Sequence, residues 1–368
     1  MTEERIVLID FNHQIHTIMN SKAPRFYKNV TLGSSDGEVS TDTRYSGLGR
    51  TIKVETTVPT YTIKNAFKWS RHGKDKLGVC FDSRCTFRKD YFSKNEFGEK
   101  SDSEYKGGRK PMFREMFEGS DLTLDVLQKS GVSVYKAEDY EADDLVYSLV
   151  QICKEKYPNT PIDIICNDAD LVPLVDEQVS IWYRSRKYTY STSKELEKTK
   201  YIQITPETYK EFIGDMSSYK KFNMEYNTVL LHKLLRGDAS DGVPGFIHPA
   251  TGKKDFPPRV YNTLIEYMLE DGINLGALCR YTRFRPLETL NNVGDKRLLR
   301  TEFQKRMQEQ LDEMCNILET YVDEETIHHI RYMYGGMNLR FLNLYEPKNY
   351  NARELRKQSE KLGIHLPM

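Results

Sequence analysis

The sequence predicts an α/β fold in which helices flank a parallel sheet, on the evidence of its apolar runs and its helical periodicity. Three continuous apolar runs have the length of buried parallel strands. They lie at residues 6–9, 77–81 and 162–166. Segments with helical periodicity lie around residues 61–71, 122–130 and 142–155. Strands that alternate with helices form parallel sheets with right-handed crossovers.

Two segments interrupt this alternation. Residues 21–58 are rich in Gly, Ser, Thr and Lys and lack a clear period, which predicts an inserted extended loop. Residues 84–114 carry nine Lys or Arg against five Asp or Glu and are interleaved with aromatic residues. We expect this basic segment to leave the sheet as an excursion that extends over residues 84–120.

The C-terminal third has a different character. Helical patterns dominate from about Leu230 to Leu318, and residues 332–344 predict a final strand that returns to the sheet. The predicted domains are therefore an α/β core at residues 1–235 and a smaller helical region at residues 236–368, whose tail contacts the core.

Composition sets outer limits on the function. The chain has 368 residues and a formal net charge of zero, from 54 Lys and Arg against 54 Asp and Glu, so net charge argues neither for nor against nucleic acid. No apolar run approaches the roughly 20 residues that cross a bilayer, and the acidic N-terminus leads into a strand rather than a signal peptide. Six cysteines without a Cys-x-x-Cys pair predict reduced thiols. We expect a cytoplasmic protein.

Acidic residues follow each predicted strand. Asp10 ends the first run, Asp82 follows the second, and Asp168 and Asp170 follow the third. The carboxyl ends of parallel strands meet at one edge of the sheet, where ligands bind in such folds. With the acidic residues of Tyr-Glu-Ala-Asp-Asp and Gly-Asp-Ala-Ser-Asp-Gly, the candidate metal ligands are Asp10, Asp82, Glu141, Asp143, Asp144, Asp168, Asp170, Asp238 and Asp241.

Each acidic motif has a structural alternative when it is taken alone. Asp10 or Asp82 could be a strand-end turn or a helix cap, the acidic residues at 141–144 could complement a helix dipole, and residues 237–245 could be a turn. Several like charges at one crevice repel each other unless cations neutralise them. All-oxygen ligands suit Mg²⁺, with Mn²⁺ as a substitute. The combination therefore predicts a site for two divalent ions.

These motifs, in this order, resemble the 5′-nuclease superfamily, which includes flap endonucleases and the 5′ exonuclease domains of bacterial polymerases. The resemblance is greatest to the ribonucleases H of T-even phages, which remove RNA primers. It rests on Leu8-Ile-Asp-Phe, Phe87-Arg-Lys-Asp-Tyr, Tyr105-Lys-Gly-Gly-Arg, Tyr140-Glu-Ala-Asp-Asp, Asp168-Ala-Asp, Leu235-Arg-Gly-Asp-Ala-Ser-Asp-Gly-Val and Asn338-Leu-Arg-Phe-Leu-Asn-Leu.

The resemblance implies a PIN-like sheet, a helical arch in the basic segment and a C-terminal helix-turn-helix-type region. It implies that Asp10, Asp82, Glu141 and Asp143 surround a first metal ion. It places Asp168, Asp170 and Asp241 at a second ion, with Asp144 and Asp238 nearby.

The resemblance also assigns roles to basic, aromatic and glycine residues. Lys106, Arg109 and Arg88 would contact the scissile phosphate, although they could instead form a solvated basic face. The implied nucleic-acid contacts are Lys106, Arg109, Tyr105, Lys110, Gly242 and Gly245. The Gly242–Gly245 loop would hold a monovalent cation and grip duplex, but residues 246–258 form an insertion that departs from the family pattern.

The implied activity is that of a Mg²⁺-dependent, structure-specific 5′ to 3′ exonuclease and flap endonuclease of replication and repair. Its substrates would be DNA and RNA/DNA hybrid with a 5′ flap or 5′ end. A single-strand-binding protein and a sliding clamp are the implied partners of a monomer, in host cytoplasm if the chain is phage-encoded.

Three rival functions differ in testable features. A haloacid-dehalogenase-like phosphatase needs Asp-x-Asp after its first strand, whereas this chain has Asp10-Phe-Asn12. A PIN-type RNase usually lacks the arch and the Gly-Asp-x-x-Asp-Gly element. A non-catalytic module that binds DNA junctions would have lost metal carboxylates, and all of these are present.

Overall fold

The computed structural model contains a central six-stranded sheet and a separate two-stranded sheet. It describes residues 4–12, 15, 27–31, 51–55, 61–62, 68–71, 74–83, 114–136, 140–184, 201–216, 218–225, 228–238, 245, 252–253, 256–273, 312 and 315–329. The strands are β1 Ile6–Asp10, β2 Tyr27–Thr31, β3 Thr51–Glu55, β4 Lys76–Phe81, β5 Ser133–Lys136, β6 Ile162–Cys166, β7 Val179–Arg184 and β8 Tyr201–Ile204. The α-helices are α1 Arg114–Lys129, α2 Ala142–Lys156, α3 Tyr209–Asp215, α4 Val229–Arg236, α5 Pro258–Glu270 and α6 Glu324–His329.

The central sheet confirms the predicted α/β class and adds one antiparallel edge. Its order is β5-β4-β1-β6-β7-β8, in which the first five strands are parallel and β8 runs antiparallel to β7. The three strands predicted from apolar runs are confirmed as β1, β4 and β6. The prediction did not include β5, β7 and β8. β7 alternates buried and half-buried residues, so it lacks the continuous apolar run used to recognise the others.

The insertion at residues 21–58 is not only an extended loop. β2 and β3 lie within it and pair antiparallel, with Tyr27 opposite Glu55 and Thr31 opposite Thr51. Helix α1 begins within the predicted excursion, because residues 114–120 belong to this helix. The predicted strand at 332–344 lies outside the described residues.

The sheet is covered on both faces by apolar side chains. On one face, Phe11 and Phe81 stack with ring centroids 4.1 Å apart, and Leu127 of α1 belongs to the same cluster. On the other face, α2 packs against β1, β4, β5 and β6. This second cluster continues through α4 and α5 to Leu318 and Ile327, so the described C-terminal helices share a core with the sheet. None of the helices described is long and apolar enough to cross a membrane.

Candidate metal centre

The order of the strands brings the predicted acidic residues to one edge of the sheet. β1 lies between β4 and β6, in parallel with both, and Asp10 is in register with Cys80 of β4. Asp10 therefore ends the central of three neighbouring strands, Asp82 follows β4 directly and Asp168 follows β6. Asp10 is buried, with 6% of its surface exposed. The structure thus brings these three predicted residues to the carboxyl ends of adjacent strands.

Asn12 joins two of these carboxylates. Its backbone N–H donates to Asp10 Oδ1 at 2.9 Å, and its side-chain Nδ2 donates to Asp82 Oδ2. These bonds orient both carboxylates and leave their negative charge in place, because an amide is a neutral donor. Sequence reasoning missed Asn12 as a site residue. The signal was its position two residues after Asp10, which allows the short Asx-type contact.

The N-terminus of α2 meets the same edge. The backbone N–H of Ala142 donates to Asp82 Oδ1 at 2.7 Å, which places the first turn of α2 beside β4. Glu141 is the N-cap of the helix and is buried, and Asp143 lies in the first turn. The positive end of the helix dipole favours negative charge here. Asp10, Asp82, Glu141 and Asp143 therefore form a first group of carboxylates.

Asp144 has a structural role within this motif. It lies at the third position of α2, its side chain accepts a hydrogen bond from the Glu141 backbone N–H at 3.1 Å, and Glu141 caps in return. This reciprocal arrangement is a capping box. Asp144 has no exposed surface. It therefore acts on the site by holding Glu141 in position.

A second group lies beyond β6. Asp168 Oδ1 accepts from the Asp170 backbone N–H at 3.0 Å at the start of the 3₁₀ helix Ala169–Leu174. Asp170 forms an ion pair with Lys233 of α4, and Lys233 Nζ lies 2.5 Å from Asp238 Oδ2. The Lys233 side chain is only 7% exposed. Asp168, Asp170 and Asp238 thus form a group around a buried ammonium.

Lys233 is charged in this setting. Burial alone would lower its pKa, but the negative charges of Asp170, Asp168 and Asp238 outweigh burial and hold the pKa well above the ordinary value for lysine. Sequence reasoning missed Lys233. Its signal was one lysine inside an apolar helix, Val-Leu-Leu-His-Lys-Leu-Leu-Arg, five residues before Asp238.

Two cysteines lie beneath the first group. Burial raises the pKa of the Cys80 thiol well above its usual range, and the charges of Asp10 and Asp143 raise it further. Burial and the charge of Asp10 likewise raise the pKa of Cys166. Both are free thiols. Both thiols are therefore protonated in this environment.

The donor set fits hard divalent cations such as Mg²⁺. Carboxylate oxygens are the ligands that Mg²⁺ prefers, and the buried ammonium shows that a cation is favourable between Asp170 and Asp238. Within the described part of the chain, no three His, Cys, Asp or Glu side chains lie close enough together to coordinate one metal ion. The carboxylates lie in two groups instead.

Other predicted site residues lie outside the described residues. These are Arg88, Tyr105, Lys106, Arg109, Lys110, Asp241 and Gly242. Gly245 is described, and a Cβ at this position would lie 2.5 Å from the Arg236 carbonyl oxygen. Only glycine permits this approach, so the chain after Asp238 returns to the end of α4. The close approach gives Gly245 a structural reason beside its predicted contact with nucleic acid.

The fold and this edge define an α/β protein with a carboxylate cluster at the carboxyl ends of its parallel strands. Residues 46–202 match the family model of the 5′-3′ exonuclease N-terminal resolvase-like domain. The matched region contains Asp82, Glu141, Asp143, Asp144, Asp168 and Asp170. The resemblance to 5′ nucleases that the motifs predicted is confirmed over these residues.

The sequence is similar to known polymerases and exonucleases. The chain is 31% identical over 173 residues to DNA polymerase I of Caldicellulosiruptor bescii, covering 46% of this chain and 17% of the polymerase. It is 28% identical over 168 residues to the 5′-3′ exonuclease of Mycoplasma pneumoniae, covering 45% of this chain and 47% of the exonuclease. The alignments therefore span less than half the length of either relative. The crystal structure of the T5 D15 protein co-crystallised with metal ions superposes with a TM-score of 0.48 at 13% identity, over 98% of this chain and 100% of that chain.

Proposed function

We propose that this chain is a divalent-metal-dependent 5′ nuclease. It acts as a structure-specific 5′ to 3′ exonuclease and flap endonuclease on RNA primers and DNA 5′ ends in replication and repair. One observation carries the proposal. Carboxylates from β1, the end of β4, the N-terminus of α2 and the segment after β6 meet at one edge of a sheet, in a chain related to 5′-3′ exonucleases.

The two groups of carboxylates correspond to two metal positions. Asp10, Asp82, Glu141 and Asp143 would hold the first ion, while Asp144 keeps Glu141 in place. The second group would comprise Asp168, Asp170, Asp238 and Asp241. Mg²⁺ is the expected physiological ion, with Mn²⁺ as a substitute. When bound, two such ions activate a water molecule and stabilise the departing oxygen of a phosphodiester.

The protein residues bind and orient the nucleic acid. In the basic segment, Lys106, Arg109 and Arg88 would contact the scissile phosphate, with Tyr105 and Lys110 beside them. Lys and Arg form charge-assisted bonds to phosphate, and stacking on Tyr105 suits a single strand. Phosphate contacts carry no base information, so recognition would follow the shape of the substrate and weaken with salt.

The C-terminal region would dock the duplex. The loop from Gly242 to Gly245 would contact the backbone of double-stranded substrate and hold a monovalent cation. We further propose that residues 1–235 and 236–368 form two domains and that the protein is a monomer. Its expected partners are a single-strand-binding protein and a sliding clamp.

The test uses two substrates and four proteins. Wild type, Asp82→Asn, Asp170→Asn and Asp125→Asn are incubated with a 5′-labelled flap and with an RNA-primed duplex, in Mg²⁺ and in EDTA. Asp125 is a matched control, because it is 50% exposed and pairs with Lys129 on α1. Wild type and Asp125→Asn should release short labelled products in Mg²⁺ only. The two site variants should lose at least about 100-fold in rate, the scale of removing one group that stabilises transition-state charge.

A different result would identify a binding module. If wild type binds both substrates but cuts neither in Mg²⁺ or Mn²⁺, the nuclease proposal is wrong, and recognition of DNA junctions without catalysis takes its place. Equal activity of Asp82→Asn and wild type would show that the first group is not the site.

A further inference from the structure

The buried Lys233 side chain is the feature of the second group that the nuclease proposal does not use. Lys233 projects from α4, a helix whose other residues are largely core, among them Leu230, Leu231 and Leu234. α4 packs directly on the 3₁₀ helix that carries Asp170. The apolar side of α4 therefore anchors the lysine stem while its ammonium reaches the acidic edge.

The ammonium lies between two carboxylates that come from different elements. Asp170 belongs to the 3₁₀ helix after β6, and Asp238 follows the C-terminal end of α4. Lys233 Nζ forms an ion pair with Asp170 and lies 2.5 Å from Asp238 Oδ2. The exposed fractions of the three side chains are 7%, 12% and 13%. Two carboxylates this poorly solvated repel each other unless a cation lies between them.

We propose that Lys233 is an internal counterion that holds Asp170 and Asp238 together without metal, and that its ammonium must leave this position before a divalent ion binds both carboxylates. The proposal rests on the proposed function, because it concerns the second metal position. Lys233 is thus a positioning residue for this position.

Distance alone makes the two cations mutually exclusive. Mg²⁺ binds carboxylate oxygens at about 2.0–2.1 Å, and the ammonium nitrogen already lies 2.5 Å from Asp238 Oδ2. A divalent ion shared by Asp170 and Asp238 would therefore occupy the space of the ammonium and repel it. The four-carbon stem of lysine has the rotamers to move its charge aside. Affinity for the second ion then includes the work of displacing a paired ammonium.

The matched variants are Lys233→Met and Lys154→Met. Methionine keeps the length and apolar character of the lysine stem without its charge. Lys154 is the control, because it also pairs with a carboxylate, that of Asp176, at the C-terminal end of α2. Each protein is titrated with Mn²⁺ by calorimetry, and its Tm is measured in EDTA and in saturating Mn²⁺.

Lys233→Met should raise the affinity for the second Mn²⁺ and lower the stability of the metal-free protein. Lys233→Met should bind the second Mn²⁺ at least about 10-fold more tightly than wild type, because no ammonium competes. Its Tm should fall in EDTA, because Asp170 and Asp238 lose their counterion, and should recover in Mn²⁺. Lys154→Met should leave the Mn²⁺ affinity unchanged. If Lys233→Met does not fold in EDTA, Lys233→Gln replaces it, since glutamine is neutral and still donates a hydrogen bond.

Two results would overturn the proposal, and they are distinguishable. An unchanged second Mn²⁺ affinity, with a Tm loss equal in EDTA and in Mn²⁺, would make Lys233 a structural residue only and would leave the nuclease proposal intact. Failure of wild type and both variants to bind any Mn²⁺ would remove the metal site itself, and with it the proposed function.

Discussion

The two ends of the central sheet both carry buried charge but compensate it differently. At the amino ends of the strands, Arg5 Nη1 donates to Asp163 of β6 at 2.5 Å, and Arg5 Nε donates to Asp75 before β4 at 3.1 Å. Arg71 Nη2 donates to Asp75 at 2.6 Å, and Ser180 of β7 donates to Asp163 at 2.7 Å. At this amino edge, two guanidinium groups thus form ion pairs with two carboxylates.

The carboxyl edge uses other donors. Asp10 and Asp82 accept bonds from the backbone N–H groups of Asn12 and Ala142 and from the Asn12 amide, and these donors are neutral. The ammonium of Lys233 lies between the carboxylates of the second group. Neutral donors orient carboxylates without cancelling their charge. Among the described contacts, ion pairs join neighbouring strands at the amino edge, whereas backbone and amide donors orient the carboxylates at the carboxyl edge.

The largest expected effect on stability lies at the amino edge. The side chain of Asp75 has no exposed surface. Asp75→Asn should destabilise the fold by about 3 kcal/mol, because it removes the buried negative charge that pairs with both Arg5 and Arg71. Tm should fall by roughly 5–10 °C, with nuclease activity per folded molecule unchanged. Asp125→Asn on the surface of α1 should change stability by less than about 0.5 kcal/mol.

The pH dependence of Asp75→Asn checks the cause. Burial raises the pKa of Asp75, but hydrogen bonds from Arg71 and Arg5 outweigh burial and lower it to about 2. A lowered pKa stabilises the fold fully above the ordinary carboxyl pKa of about 3.9, and this stabilisation is lost as pH falls through about 2. The Tm difference between wild type and Asp75→Asn should be constant above about pH 5 and narrow below about pH 4. A difference independent of pH would show that packing, not charge, is responsible.

Asn12 provides the second test, at the carboxyl edge. Asn12→Ala removes the donor to Asp82 and keeps the Ala142 bond to the same carboxylate. Activity should fall about 10–100-fold, the usual effect of losing a group that orients a metal ligand. Tm should change little, and Asn223→Ala, which removes an exposed bond to Glu266, is the control. A large Tm loss with normal activity would instead show that Asn12 stabilises the fold, as the ion pairs of the amino edge do.

Gly245 provides the third test, and Gly214 is its control. A Cβ there would lie 2.5 Å from the Arg236 carbonyl oxygen, so Gly245→Ala should displace the backbone after Asp238 at a cost of about 1–3 kcal/mol. At Gly214 in α3, an added Cβ would meet no atom within 4 Å, so Gly214→Ala should stabilise by about 0.4–1 kcal/mol. Urea unfolding measures the free energy of unfolding of both variants. Equal changes in this free energy would contradict the close approach of Gly245 to Arg236.

Much of the candidate site could be predicted, because its residues lie in recognisable local sequence patterns. Apolar runs ending in Asp10 and Asp82 located two strands and their acidic ends, and the acidic start of α2 was visible as Glu-Ala-Asp-Asp. The capping contact of Asp144 with Glu141 was not predicted, because the sequence alone does not distinguish a capping carboxylate from one at a metal site. The pairing of β2 and β3 escaped prediction because few residues in that segment follow a period.

The sequence by itself determined the α/β class, the acidic residues at the strand ends and the resemblance to 5′-3′ exonucleases, since each follows from short motifs or from their order. Only the tertiary structure decided which groups touch. Asn12 reaches Asp82 across 70 positions of the chain, and Lys233 reaches Asp170 from a helix of the C-terminal half. Such contacts depend on strand order and helix packing, which fix distances between residues that no local pattern links.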